Sequence, residues 1–438
     1  MRKPRSFILP AIMALGLVFG ATSALAAAGN LDTTFGKGGK VVTSFVNSAA
    51  PFQSAIPADA ALQSDSKIVV AVGFDNSTIA TEAFGVVRYL SNGSLDATFG
   101  KNGRVQIAFT NFINSPSALA IQSDGKIVVA GTASSADGTV SEFAVARFNS
   151  NGSLDTTFGT GGKVTTNFVG VKLGGVSNPA NAVLIQADGK ILVGGGASEC
   201  GKCIMNTALA RYDSDGSLDT TFGNDGMVDV TAVGAVISLA EDAAGDIFTE
   251  GTPRPIGLGG TAEFSPTGTL DSTITSGPVT VSSHGGPVAF QSDGNLVEGE
   301  SVTGVGRHDI EAQVIRFTQT GAVDPTFNNP PFDYTGEGGT PTDSAAATAL
   351  QSNGQVVIGG SHFAGGFDLF GLARLNSDGS LDSTFGTGGV LTTSFTGQNS
   401  AAVSAIVIQS DGKIIAVGQT LVSQTGIANL ALVRYLGK

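Results

Sequence analysis

Few side chains in this sequence suit chemistry near neutral pH. The histidines are His284, His308 and His362, and the cysteines are Cys200 and Cys203. His308 and His362 fall in loops of variable length in adjacent repeats, each between a second and a third strand. With Arg307 and Asp309 they form a candidate polar cluster: Arg307, His308, Asp309 and His362. A metal or general-base site needs two or three such groups to converge. The alternative reading is of surface histidines without chemistry.

Cys200 and Cys203 stand in Glu199-Cys-Gly-Lys-Cys-Ile204. In an exported chain such a pair is expected to form a local disulfide. A redox role would want a helix N-terminus to lower the thiol pKa, and the surrounding residues read as a loop. Zinc would need a second ligand pair, and none is nearby. The chain has no G-x-S-x-G, H-E-x-x-H or P-loop, and paired carboxylates cannot be chosen among its scattered acids. Asp-rich turns such as Asp213-Ser-Asp-Gly-Ser-Leu-Asp219 lack a full calcium ligand series and read as Asx turns. No cofactor, metal or catalytic residue is expected.

The elements that would position these groups are repetitive. Leu31-Asp-Thr-Thr-Phe-Gly36 recurs from Leu95, Leu154, Leu218 and Leu381, with weaker copies from Leu270 and Val323. The seven starts lie 64, 59, 64, 52, 53 and 58 residues apart. Gln-Ser-Asp-Gly-Lys turns recur in the same phase, as at Gln122–Lys126 and Gln409–Lys413. Strands ending in Arg88, Arg147, Arg211, Arg316, Arg374 and Arg434 complete the unit. The Arg stands seven residues before the Leu-Asp pair that follows it. Its opposite charge is Asp32, Asp96, Asp155, Asp219, Asp324 or Asp382; the fourth copy offers Asp271 but has Glu263 where Arg is expected. These Arg and Asp residues are read as structural, a guanidinium tying strand to loop.

Taken together, the motifs resemble the delta-60 repeat family of bacterial exported proteins. The resemblance implies a β-propeller-type repeat over nearly all of the mature chain and no particular activity. The unit itself reads the same way. Ser117–Gln122, Lys126–Ala130, Phe143–Phe148 and Lys163–Phe168 are short apolar or alternating runs, separated by Gly and Asn punctuation. Four strands in each of seven units, with no helical period, predict an all-β, seven-bladed propeller; an open β-solenoid is the runner-up. Lys40–Phe45 is a spare fourth strand and the last unit lacks one, so the N-terminal strand is expected to pair with Asn429–Tyr435 and close the ring.

Arg2, Lys3 and Arg5, an apolar run and Ala24-Leu25-Ala26 read as a signal peptide over residues 1–26, leaving one domain over 27–438. Its removal takes the formal charge from −13 to about −16, which argues against a nucleic-acid partner. No further segment is apolar enough to span a membrane. The expected location is secreted or periplasmic. The turns after first and third strands are nearly constant, whereas the connections after second and fourth strands vary, so the variable face is the candidate working surface. The expected function is a non-catalytic binding or interaction scaffold whose partner is an extracellular protein or glycan. The alternative is an extracellular polysaccharide hydrolase or lyase acting at the same face.

Overall fold

The structure, a computed structural model, describes residues 27–45, 54–76, 81–109, 112–168, 176–199, 205–251, 260–275, 288–291, 295–303, 310–318, 322–327, 330–335, 342–422 and 425–438. Among these every regular element is a strand. Residues 1–26, expected to be a signal peptide, both cysteines, His284 and the trio Arg307, His308 and Asp309 lie outside the described residues.

The chain opens with β1 (Lys40–Thr43). The first sheet is β2 (Ser54–Leu62), β3 (Ile68–Asn76), β4 (Thr81–Tyr89) and β5 (Arg104–Ile107). The second is β6 (Phe112–Ile121), β7 (Ile127–Ser135), β8 (Ser141–Phe148) and β9 (Lys163–Thr166). The third holds β10 (Val176–Ser177), β11 (Ala180–Ile185), β12 (Ile191–Glu199), β13 (Asn206–Tyr212) and β14 (Met227–Val230). The fourth is β15 (Val236–Glu241), β16 (Ile247–Gly251), β17 (Gly260–Phe264) and β18 (Leu270–Thr275). Then come β19 (Val288–Phe290), β20 (Leu296–Thr303), β21 (Ile310–Phe317), β22 (Thr342–Leu350), β23 (Val356–Ala364), β24 (Phe367–Leu375) and β25 (Val390–Thr393), all in one sheet. The last sheet joins β26 (Ser400–Ile408), β27 (Ile414–Leu421) and β28 (Ala428–Tyr435) to β1.

Closure occurs as the sequence predicts. β1 runs antiparallel to β28, with Lys40 opposite Val433 and Thr43 opposite Leu430. The first strands touch in succession, β2, β6, β11, β15, β19, β22 and β26, and β26 returns to β2. This is the ring contact of a propeller, in which each sheet packs face to face on the next and no seam edge is left unpaired.

The expectation of seven separate four-stranded blades is corrected: hydrogen bonding groups the strands into six sheets. The fifth and sixth repeats share one seven-stranded sheet through a single parallel pair, Ile310 opposite Thr342. The cause lies in the fifth repeat's fourth strand. Pro330 and Pro331 cannot donate to a ladder. Among the described residues of this segment only Phe332 reaches β21, exchanging two hydrogen bonds with Ala312 at 2.9 and 3.0 Å. The start of β21 is thereby free to take up β22.

A second departure concerns the fourth Leu-Asp motif. In the other six copies the motif turns tightly after its Asp, whereas Leu270–Thr275 is itself the strand β18. Ile274 supplies no aromatic ring for the turn to bury, and Thr-Ile-Thr is β-branched and suits a ladder.

Outside the fourth and fifth repeats each second strand opens apolar on both faces, because sheets cover both of its sides. Ile127, Val128, Val129 and Ala130 are all fully buried. A register shift recurs in six first strands at one height, between Pro57 and Asp59, Pro116 and Ala118, Ala180 and Ala182, Val236 and Ser238, Ala345 and Ala347, and Val403 and Ala405. This bulge pushes a carbonyl toward the second strand. At Gly360 a Cβ would lie 1.6 Å from the Ser344 carbonyl oxygen, so glycine is required there.

Candidate functional site: the polar seam of the divergent repeats

The repeated Arg and Asp residues build a joint between sheets. Arg147 Nε donates to Asp155 Oδ2 at 2.8 Å, and both residues are buried. The Arg147 Nη1 crosses to the Ser214 carbonyl of the next repeat at 2.7 Å, and the guanidinium lies 4.6 Å over the Phe158 ring. Lys126 adds a longer ion pair to Asp155 at 3.3 Å. Burial works to raise the Asp155 pKa, but two Thr157 hydrogen bonds and the nearby cations outweigh it and hold the carboxylate at about 2.

The same clasp recurs as Arg88 on Asp96, Arg211 on Asp219, Arg316 on Asp324, Arg374 on Asp382 and Arg434 on Asp32. Each Arg also reaches forward, to the carbonyls of Ser150, Pro266, Ser377, Gly437 and Ser91 respectively. The last clasp joins the two ends of the chain. These groups are structural: every guanidinium is committed on three sides.

The fourth repeat breaks the series. Glu263 accepts a hydrogen bond from Ser272 at 3.0 Å, and Asp271 is exposed. No clasp therefore reaches from this repeat into the fifth. Across that gap lie three buried carboxyls. Glu250 on β16 is 4% exposed; Glu298 and Glu300 on β20 are 8% and 2% exposed. Glu298 is hydrogen-bonded to both of the others. Two residues apart on one strand, Glu298 and Glu300 share a face. A hydrogen bond between two carboxyls requires that one of them hold a proton. Burial, then mutual repulsion, pushes Glu300 up to about 8 and Glu298 well above the ordinary range. Burial pushes Glu250 to about 7, lowered somewhat by its bond to Glu298 and raised again by Glu300. Glu250 Oε2 and Glu300 Oε2 have no hydrogen-bond partner.

His362, of the sequence-predicted cluster, is buried on β23. Its Nδ1 lies 2.6 Å from Asp343 Oδ1 on β22. Asp343 Oδ2 accepts the Tyr334 backbone N–H at 3.1 Å. Burial raises the Asp343 pKa, with His362 opposing. The imidazole is thus fixed by a carboxylate, while Ser344 and Ser361 bond each other beside it at 2.8 Å. Asp59, half-buried on β2, accepts the N–H of Leu119 on the next first strand at 2.8 Å; burial lifts its pKa to about 6.

Sequence reasoning missed Glu250, Glu298, Glu300, Asp343 and Asp59. A signal was present for three of them: Leu296-Val-Glu-Gly-Glu300 and Ile247-Phe-Thr-Glu250 put acids into second strands that the remaining repeats open with apolar residues, as in Ile127-Val-Val-Ala130. Among the described residues no group of three or more His, Cys, Asp or Glu is placed to hold a metal ion. No helix among them is long and apolar enough to cross a membrane.

Ring closure, four-stranded sheets and the repeating clasp define a β-propeller repeat protein. Residues 63–99, 122–158, 186–222, 351–385 and 409–436 match a domain of unknown function, the DUF5122 β-propeller, and fit a β-propeller repeat family. No curated protein matches the sequence. Among solved structures the chain is similar to a hydrazine synthase of Kuenenia stuttgartiensis, 12% identical with a TM-score of 0.45, covering 90% of this chain and 99% of that one. It is similar to the β-propeller domain of the Trilobed protease of Pyrococcus furiosus, 11% identical with a TM-score of 0.45 over 88% and 95% of the two chains. An α-L-arabinanase of Penicillium chrysogenum, 8% identical with a TM-score of 0.44, is covered over 96% of its length and 90% of this chain. Likeness of this degree assigns neither activity nor ligand.

Proposed function

We propose that this protein is an exported, non-catalytic binding scaffold of the delta-60 repeat type. In this reading residues 1–26 direct export, and seven repeat units, two of them sharing a sheet, present a ligand surface on the variable-loop face. The partner is an extracellular protein or glycan, met in the medium or the periplasm. One contrast between the two faces carries the proposal. On the constant face the repeated charges are consumed by the clasps. On the other face, the hairpin joining β23 to β24 carries Phe363 and Phe367 exposed at 45% and 47%. Gly365 and Gly366 form its two-residue turn, with φ of 62° and 89°, as such a tight hairpin requires. Ala364 pairs with Phe367 and Phe363 with Asp368, so the two rings lie on opposite faces of the hairpin. Aromatic rings held on a rigid turn give contact area at little entropic cost. His362 and Asp343 brace the strand just beneath.

The test is a screen of the labelled protein against glycan arrays and extracellular proteins of the producing cell, repeated with Phe363→Ser/Phe367→Ser. The expected result is a ligand whose affinity falls at least about tenfold in the variant while thermal unfolding is unchanged. Release of reducing ends or unsaturated uronates from polysaccharides by the purified protein would overturn the scaffold reading in favour of the enzyme.

A further inference from the structure

Among the described residues, two supports that hold the other joints of the ring are missing together at one place. Between the sheet of β15–β18 and strands β19–β21 there is no Arg clasp, because Glu263 stands where the Arg should be. Among the described residues there is no shared apolar core either. The described residues on the β20–β21 side form only the small cluster Leu296, Ile315 and Phe317, whereas the preceding joint packs Leu192, Phe222, Val236 and Phe264 together. What fills the joint instead is the hydrogen-bonded set Glu250, Glu298 and Glu300, approaching from both sides.

Among the described residues no cation balances it. On the packed elements, Glu241 of β15 accepts from Gln186 and Ala187 on its far side. Glu263 of β17 is held by Ser272. Glu311 lies on β21 opposite Val302, and Gln313 lies opposite Glu300. Arg316 of β21 is committed to Asp324, and Asp343 of β22 to His362. Among the described residues only carboxyls act electrostatically on the three glutamates.

We propose that this joint is a protonation-controlled latch: while Glu250, Glu298 and Glu300 share protons the ring is closed here, and when they lose them the β15–β18 sheet parts from β19–β21 while the clasped joints hold. The direction follows from linkage. A carboxyl raised in the folded state binds more protons folded than unfolded, so its support is fully present below its ordinary value near 4.5. That support is lost as pH rises toward about 7 at Glu250 and about 8 at Glu300. Two or three unscreened negative charges in one buried joint then repel. The Arg–Asp clasps have the opposite sign and do not weaken in this window, since their carboxylates are already ionised.

The experiment is hydrogen–deuterium exchange of the full mature chain between pH 5.5 and 9, with rates corrected for intrinsic exchange. Peptides covering β16 and β20 are compared with those covering β7 and β27. The expected result is at least about a tenfold loss of protection in β16 and β20 across that range, with β7 and β27 unchanged. Glu298→Gln/Glu300→Gln should abolish most of this difference, and Glu250→Gln serves as the second variant if the double one does not fold. Protection in β16 and β20 at pH 9 equal to that at pH 5.5 would overturn the latch. So would an equal loss in all four strands, or a full wild-type pH response in a folded variant.

Discussion

At the residue scale the governing fact is that an identical Arg does three jobs at once. It pairs with a loop Asp, covers a Phe ring and reaches a carbonyl of the next repeat. Removing it leaves a buried carboxylate unpaired and a neighbouring carbonyl without its donor, and the penalty for such orphaned groups exceeds the net worth of the bonds lost. Arg147→Ala is therefore expected to cost about 3–5 kcal/mol. Glu263→Ala, which loses one serine hydrogen bond at a partly exposed site, should stay within about 1 kcal/mol. Denaturant titration of the two variants checks this, and coincident midpoints would show that the clasp is ornament. The pairing of Arg with Asp was legible from opposite charges at constant spacing. The forward carbonyl was not, because no sequence pattern specifies which backbone atom a side chain meets across a joint.

At the scale of the element, the repeat explains why some positions resist change and others drift. The bulge in each first strand advances a carbonyl, and the facing residue of the second strand must make room. Gly360→Ala would place a Cβ 1.6 Å from the Ser344 oxygen, and is expected to destabilise by about 2–4 kcal/mol through forced backbone movement. Gly73→Ala meets nothing closer than 3.7 Å, and should change stability by no more than about 0.5 kcal/mol. Thermal melts of both variants separate a glycine that faces a bulge from one that lies a residue beyond it. The first sheet carries Val72 at the place corresponding to Gly360, and the structure offers no physical account of how it is accommodated. Strand number and order were readable from alternation and turn chemistry. The fusion of the fifth and sixth repeats was not. Pro330 and Pro331 announced a weak fourth strand, but what occupies a vacated edge depends on neighbours far along the chain.

For the whole molecule, the ring is sustained by meeting ends. Gly29 donates to the Leu436 carbonyl at 2.8 Å, and Leu436 donates to that of Asn30 at 2.9 Å, so the termini sit as two halves of one loop. A permuted chain with residue 438 joined to residue 27 and new ends opened in the Asn149–Ser153 turn should fold with a melting temperature within a few degrees of the parent. A chain lacking residues 27–45 should instead expose the β28 edge and self-associate, as light scattering would report. Failure of the permuted chain to fold would mean that continuity at Asn149–Ser153 matters more than the symmetry of the loops implies. Closure was visible in the sequence because the spare strand and the missing strand were complementary. The candidate site was much less so: His362 was picked out by its type, but Asp343 and the three glutamates become a site only when non-adjacent repeats are brought face to face.

The pairing of β1 with β28 also fixes an order of events during biosynthesis. The segment at Lys40 emerges early, yet its only ladder partner, Val433, lies about 390 residues later. At a synthesis rate of roughly 5–20 residues per second, that strand waits for tens of seconds with its backbone groups uncovered. Its neighbours in the chain cannot shield it, because its sheet does not yet exist. The same strand that makes the finished ring seamless is thus a long-lived sticky edge of the nascent chain, and a holdase would find a persistent target at Lys40–Thr43.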